Sequence, residues 1–293
     1  MNRITEGHLA RHYQGAKGGR DAALLDIAQD HALRRLHDLG LFDQGLTFKG
    51  GTALRKFRAG NSGRFSTDLD FAAPDAMLAF SVLDALDGVD IDGFTFALKN
   101  IGDDGRRADL DVGTPFGTPR LGAKIELARH ELALEPERLA PVHLPIHDRY
   151  DFALPTLPIV RTEEAIAEKL ARFRRVPLAR DLYDLHWYAL AGPFDDGLVR
   201  RLWVLKVFRD IVVDGRGTAP ITPDDVLAAW QTGEFRTEDI GYLTKPVRLE
   251  AWLAEVRERF AFLADLSADE QRWAEVNARF LDEVVEALAR QPG

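Results

Sequence analysis

The sequence contains no cysteine, which removes disulfides, thiolate zinc sites and cysteine nucleophiles from consideration. Long apolar runs are missing too, and nothing approaches the roughly 20 apolar residues needed to cross a bilayer. The opening stretch from Met1 to Gly7 has no signal-peptide core, so a cytoplasmic protein with no membrane partner is expected. Positive charge is in short supply: 38 Lys and Arg face 47 Asp and Glu, a formal net charge of −9. Such a chain does not coat nucleic acid by net charge, and any nucleic-acid partner must be met by a clustered basic face. The eight histidines fall at no metal-ligand spacing on a common helix, so no zinc site is expected. What is present is 293 residues, 46% hydrophobic and 29% charged, enough for one large domain or two ordinary ones.

Periodicity divides the chain into two kinds of pattern. Leu24, Leu25, Ile27, Ala28, Ala32, Leu33, Leu36 and Leu39 recur at helical spacing, predicting a first helix over about 21–39 with Gly40 as its stop. The Gly15–Arg20 segment lacks the Gly-Lys-Ser/Thr ending of a phosphate loop and is read as a flexible lead into that helix. Period-2 alternation at 69–71, 94–98, 108–112 and 121–127 predicts half-buried strands, and a helix is expected from Pro74 to Leu86. From about Arg161 onward the pattern is helical, with Thr162 read as a capped start and Ser267–Glu270 as a capping box. Pro155 and Pro158 mark the expected junction. The expectation is an α/β (α+β) mixed sheet with flanking helices over 1–158, followed by a helical domain over 159–293.

The chemistry concentrates in one unit. Phe48-Lys-Gly-Gly-Thr-Ala-Leu54 reads as a strand end, a glycine turn and a helix start, and Ser66-Thr-Asp-Leu-Asp-Phe71 returns as a second strand. Glycines let backbone N–H groups approach phosphate, and aspartates at i and i+2 on a strand share one face, where they can hold magnesium. The candidate nucleotide-binding residues are therefore Lys49, Gly50, Gly51, Thr52, Arg55 and Ser66, with Asp68 and Asp70 as metal ligands. Lys49 and Arg55 flank the turn and are expected to neutralise phosphate charge. Asp109-Leu-Asp111 repeats the acidic pattern without a preceding glycine turn, and is read as hairpin surface. Glu126 is the preferred third metal carboxylate, and Asp111 the alternative.

A second constellation opens the helical half. Glu163 to Arg172 leads into Arg180-Asp-Leu-Tyr-Asp-Leu185. Lys169, Arg172 and Arg180 can converge on phosphates, with Asp181 and Asp184 orienting them, because a buried cation needs a partner. Spacing alone favours a salt-bridged amphipathic helix pair. Arg172, Arg174, Arg175 and Arg180, with Arg161 and Lys169, supply the clustered basic face required of an RNA site.

In this order, the Lys-Gly-Gly-Thr turn, Arg64-Phe-Ser-Thr-Asp-Leu-Asp-Phe71, Lys124-Ile-Glu126, Ala167-Glu-Lys169 and Arg180 to Leu185 resemble the AbiEii-type nucleotidyltransferase toxins, nearest the mycobacterial MenT branch. The resemblance runs from about Phe48 to Leu185. The sixteen residues between Gly51 and Asp68 are usual for that family, though long for many polymerase-beta-like enzymes. It implies a polymerase-beta-like nucleotidyltransferase domain and a toxin restrained by a cognate antitoxin. The implied activity is Mg2+-dependent transfer from an NTP, CTP or UTP in some relatives, to the 3′ acceptor end of tRNA, which blocks translation. Carried over by position, Gly50, Gly51 and Ser66 hold the triphosphate, Asp68 and Asp70 the magnesium, and Lys169 and Asp181 are functional residues of the later motifs. Phosphorylation of Ser66 would place negative charge where the triphosphate binds, which makes it a candidate control point. Two other readings stay open at this stage: transfer to a protein or small-molecule hydroxyl, and a non-catalytic module that kept the nucleotide fold.

Overall fold

The structure, a computed structural model, describes residues 4–15 and 18–290, without the Thr118 side chain. The first three residues of the opening stretch, and Ala16 and Lys17 of the Gly15–Arg20 segment, lie outside the described residues. The chain divides into two compact units: 1–132 with 136–160 and 241–245, and 133–135 with 161–240 and 246–293.

The first unit is built on an eight-stranded sheet. After helices α1 (Glu6–His12) and α2 (Gly19–Asp38) come β1 (Thr47–Lys49), α3 (Gly50–Leu54), β2 (Leu69–Ala72), α4 (Ala76–Leu86), β3 (Val89–Ile91), β4 (Phe94–Lys99), β5 (Arg107–Thr114), β6 (Gly117–Ala128), β7 (Glu137–Leu139) and β8 (Leu157–Ile159). The spatial order is β3-β4-β5-β6-β2-β1-β8-β7. The β3–β6 strands are antiparallel neighbours, whereas β2 runs parallel to β6 and β1 parallel to β8, giving a mixed α/β sheet.

Alternation decides which face is covered. Leu121, Ala123, Ile125 and Leu127 of β6 are buried, while the intervening Gly122, Lys124 and Glu126 are exposed. Leu110 and Val112 of β5 and Phe94 and Phe96 of β4 join the same core, beneath Leu24, Ile27, Ala28 and Leu33 of α2 and Val82 and Leu86 of α4. One face is thus dry and the other polar, as antiparallel sheets permit. Asp75 rather than Pro74 caps α4, its carboxylate accepting from Leu78 N at 2.7 Å. The stretch around Pro155 and Pro158, read as junction, contributes β8 (Leu157–Ile159), in which Ile159 pairs with Phe48 of β1.

The second unit is helical: α5 (Thr162–Phe173), α6 (Ala179–Leu190), α7 (Asp196–Val212), α8 (Asp224–Leu227), α9 (Leu249–Arg259), α10 (Ala268–Ala274) and α11 (Leu281–Ala289). Trp203, Phe208, Leu182, Leu185 and Val256 form its interior. Arg161, with no side-chain cap, precedes α5, so Thr162 is already helical. Ser267 and Glu270 do form a capping box, at 3.3 and 2.7 Å. Buried Lys206 donates to Glu164 at 2.6 Å, and Glu164 accepts the Ala133 and Leu134 N–H groups, both at 2.9 Å, tying 133–135 to this unit.

Candidate active site

The sheet register sets the site. Asp70 lies opposite Lys49 on β1 and opposite Glu126 on β6, so these three side chains occupy one row across three strands. Gly50 follows Lys49 with φ +80°, in the left-handed region open to glycine. A Cβ at Gly50 would run into the Asp70 carboxylate, and one at Gly51 would collide with Arg64 Nη2 and lie 3.1 Å from Ser66 Oγ. The missing side chains of the two glycines therefore let Asp70 close onto the turn at Gly50, and Arg64 and Ser66 at Gly51, and this close-packed glycine turn is the cradle.

The strand that brings the carboxylates back is pinned from below. Gln29 of α2 donates through Nε2 to the carbonyls of Ser66 and Thr67, both at 3.0 Å. Thr52, expected to bind nucleotide, is fully buried and donates to the Asp68 carbonyl at 2.5 Å, so its hydroxyl holds the Asp68 backbone. Thr67 Oγ1 donates to Asp68 Oδ1 at 3.0 Å.

Arg55 departs from its expected phosphate role. It is 1% exposed, and its guanidinium donates to Asp26 at 3.0 Å and to the carbonyls of Gly60 and Gly63 at 3.2 and 3.0 Å. The same group stacks 3.6 Å over the Phe65 ring. Residues 55–59 form a π-helical turn after α3, which carries Arg55 inward. Its charge is thereby committed to Asp26, and what it orders is the 60–65 loop. Arg64, at the end of that loop and 6% exposed, is the cation that stands over Gly51. The local pattern assigns Arg64 no role; the signal for it in the sequence is its place two residues before Ser66.

The chemistry of the donor set fits a hard divalent cation, since carboxylate oxygens suit magnesium. Among the described residues no three acidic or imidazole side chains gather into a complete cage. Asp68 and Asp70, two residues apart beside the glycine turn, are the carboxylates that would hold such a cation, which would take its other ligands from substrate phosphates and water. Glu126 shares the row of Asp70, but its side chain is half exposed and pairs with Arg107 at 3.4 Å. Asp111 sits farther along the face, held by Lys99 at 2.6 Å and Arg120 at 2.9 Å.

In the second unit, Lys169 Nζ lies 3.2 Å from Asp181 and 2.6 Å from Asp184, and Arg172 Nε lies 3.1 Å from Asp181. Both aspartates are almost wholly buried, so the two cations offset two desolvated carboxylates. Arg174 is corrected from an RNA-facing residue to a structural one. It is 8% exposed, and donates to Asp225 at 2.7 Å and to the carbonyls of Thr218 and Pro220 at 2.7 and 2.9 Å. Arg175 pairs with Asp210 at 3.0 Å, and Arg180 is half-buried at the start of α6.

Comparison with known proteins agrees with this architecture. No curated protein sequence matches the chain. Among solved structures, MenT4, a nucleotidyltransferase toxin from Mycobacterium tuberculosis H37Rv, is 52% identical over 98% of this chain and 99% of its own, with a TM-score of 0.91. Two H. pylori structures, one of them JHP933, align at 17% identity over 96% and 98% of this chain and 99% and 98% of theirs, with TM-scores of 0.46 and 0.44. The profile of the nucleotidyl transferase AbiEii toxin, type IV toxin–antitoxin system, matches residues 31–279. The chain belongs to the AbiEii family of nucleotidyltransferase toxins.

Proposed function

We propose that this toxin transfers a nucleoside monophosphate from an NTP, CTP or UTP, to the 3′ end of tRNA in a Mg2+-dependent reaction in the cytoplasm, blocking translation until a cognate antitoxin restrains it. The observation that carries the reading is the close approach of the Asp70 carboxylate to Gly50, which sets it against the glycine turn where only a residue without a side chain fits. Asp68 and Asp70 would hold magnesium, which polarises the phosphoryl group and offsets charge on the leaving pyrophosphate. Gly50 and Gly51 offer backbone N–H groups to the phosphates, with Lys49, Arg64 and Ser66 around them. Glu126 is proposed to complete the acidic row. Residues 1–158 act as the nucleotidyltransferase domain in this reading, and 159–293 as the helical domain. Lys169 and Asp181 are that domain's functional residues, with Arg172, Arg175 and Arg180 its RNA-facing cations. Incubation with labelled triphosphates, magnesium, total RNA and protein extract is the test. Label on tRNA is expected; label on protein alone, or none anywhere, overturns the acceptor assignment.

Two substitutions probe the cradle. Gly50→Ala forces a non-glycine residue to φ +80° and drives its methyl into the Asp70 carboxylate. A displacement of about 1 Å at a reacting centre costs on the order of 100-fold, so transfer is expected to fall at least that far. The added backbone strain of about 1–3 kcal/mol lowers Tm by several degrees. Ser66→Glu, whose side chain replaces the hydroxyl beside Gly51 with a charge, is expected to cut triphosphate affinity by about tenfold or more. Undiminished binding in a calorimetric titration would refute Ser66 as a control point.

A further inference from the structure

The polar face of the sheet does not end at Asp68. Beyond it lies an open basin of about 420 Å³, lined by Thr67, Asp68, Lys99, Asn100, Asp111, Arg120 and Lys124, among others. Register explains why these side chains meet. Lys99 of β4 lies opposite Asp109 of β5, which lies opposite Lys124 of β6; one step along, Asp111 lies opposite Ala97 and Gly122. A Cβ at Gly122 would meet open space, so small residues on both sides of Asp111 leave the floor low. The basin crosses from β2 to β4, three strand spacings of about 4.8 Å each.

Its lining sets three carboxylates, Asp68, Asp109 and Asp111, against three cations, Lys99, Arg120 and Lys124, and the Lys99 and Arg120 side chains are far more exposed than that of Asp111. Asp111 holds Lys99 Nζ at 2.6 Å on one oxygen and Arg120 Nε at 2.9 Å on the other, so one carboxylate orients two exposed cations. Arg120 also reaches the Thr95 hydroxyl at 3.4 Å, and Asn100 donates to Asp109 at 2.7 Å, holding Asp109 at the floor. Lysine keeps further N–H groups to offer, and the arginine fork matches phosphate geometry. Among the described residues no aromatic ring lines the basin, so it has no platform on which a base could stack.

Position assigns the basin its ligand. Phosphoryl transfer places the attacking and leaving oxygens in line on opposite sides of phosphorus. With the triphosphate over Gly50 and Gly51 on the β1 side, the attacking hydroxyl arrives from the β6 side, where the basin opens. We propose that this basin seats the sugar–phosphate backbone of the last nucleotides of a single-stranded nucleic-acid acceptor, with Lys99 and Arg120 binding its phosphates and Asp111 as the positioning residue that aims them. The inference rests on the proposed nucleotidyl transfer and deepens it. It also makes acceptor recognition tolerant of base sequence at these positions.

The test uses the full chain and two readouts. A short single-stranded oligoribonucleotide with a free 3′ hydroxyl and a 5′ fluorophore is titrated by anisotropy, without turnover. Transfer to total tRNA is then measured across acceptor concentrations with the triphosphate saturating. The Lys99→Gln/Arg120→Gln double variant is expected to weaken oligonucleotide binding and raise the acceptor KM by about tenfold. The salt slope falls by about 1.4, two phosphate contacts at about 0.7 each. Magnesium-dependent binding of a non-hydrolysable triphosphate is expected to stay within about twofold, since neither side chain touches the cradle. Asp111→Asn is expected to raise the acceptor KM as well. Tighter acceptor binding in that variant would show Asp111 merely repelling phosphate, and overturn its positioning role. Unchanged oligonucleotide affinity in the double variant, or equal losses for oligonucleotide and triphosphate, overturns the basin. Oligonucleotide binding that depends on Lys99 and Arg120, with no label transferred to any RNA, sustains the basin and overturns the transfer reading instead. The single variants Lys99→Gln and Arg120→Gln give the same comparison if the double variant does not fold.

Discussion

Replacing Asp70 by asparagine is expected to lower single-turnover nucleotidyl transfer by about three orders of magnitude while leaving the fold intact. The substitution keeps the shape that fills the space over Gly50 and removes the charge that faces the cation. A metal carboxylate supplies several kcal/mol of transition-state stabilisation, and about 4 kcal/mol corresponds to roughly a thousandfold in rate. Because the asparagine would still sit between Lys49 and Glu126 in the sheet row, Tm should move by no more than a few degrees. A metal role makes a further demand. Triphosphate affinity should drop in the variant when magnesium is present, and match the wild type in excess chelator. If Asp70→Asn retained more than about a tenth of wild-type transfer, the carboxylate would be a packing element and the metal assignment would fail.

The glycine turn and the acidic strand were legible because their parts are close in sequence and each obeys a local rule: left-handed φ at Gly50, and period-2 spacing at Asp68 and Asp70. The sheet's polar and apolar faces were equally legible in 121–127, where every second residue is apolar. What sequence could not carry was the destination of long side chains. Arg55 looks like a phosphate ligand from its flank of the turn, yet at the start of the π-helical turn its side chain points inward onto Asp26, 29 residues earlier in the chain. Arg174 sits in a basic cluster by sequence, but it closes onto carbonyls more than forty residues away. β8 was hidden for a related reason. Three residues among prolines carry no strand signal, and only parallel pairing with β1 makes them one. Arg64 belongs to the same class, since its position over Gly51 follows from a loop whose path is set by Arg55, Phe65 and Tyr242.

Asp26→Asn is expected to be among the most destabilising single changes in the first unit. The carboxylate is 2% exposed and accepts from Arg55 at 3.0 Å, Lys56 at 3.1 Å and His12 at 2.8 Å. Lys56 also reaches Asp30 at 2.7 Å, and Asp30 accepts the Tyr150 hydroxyl at 2.6 Å, so the cluster ties α1, α2 and the turn after α3 to the 147–150 segment. Burial raises the Asp26 pKa, but Arg55, Lys56 and His12 outweigh it and hold the carboxyl well below the usual range. Removing that charge leaves Lys56 with Asp30 and takes from the buried Arg55 guanidinium the carboxylate it pairs with, and breaking a buried pair in this way costs about 3–5 kcal/mol. At about 2–4 °C per kcal/mol for a domain of this size, Tm should fall by about 6–20 °C. Exchanging Asp26 and Arg55 together for leucine and methionine should recover part of the loss, because Lys56 keeps Asp30 while the bare arginine charge is gone. The pH profile separates this cluster from ordinary packing. Burial holds His31 and His147 below the usual imidazole value, so both bind fewer protons folded than unfolded. Their contribution is complete above about pH 6.5 and is lost as pH falls through the folded values. The Asp26 contribution is present above about pH 3.9 and disappears only as pH drops toward its depressed folded value. Wild-type stability should therefore decline gently below about pH 6.5 and more steeply below about pH 4, and Asp26→Asn should keep the first decline while blunting the second. A Tm within about 2 °C of wild type at neutral pH would mean that the cluster adds no net stability, and that the turn carrying Gly50 and Gly51 is held by hydrophobic packing alone.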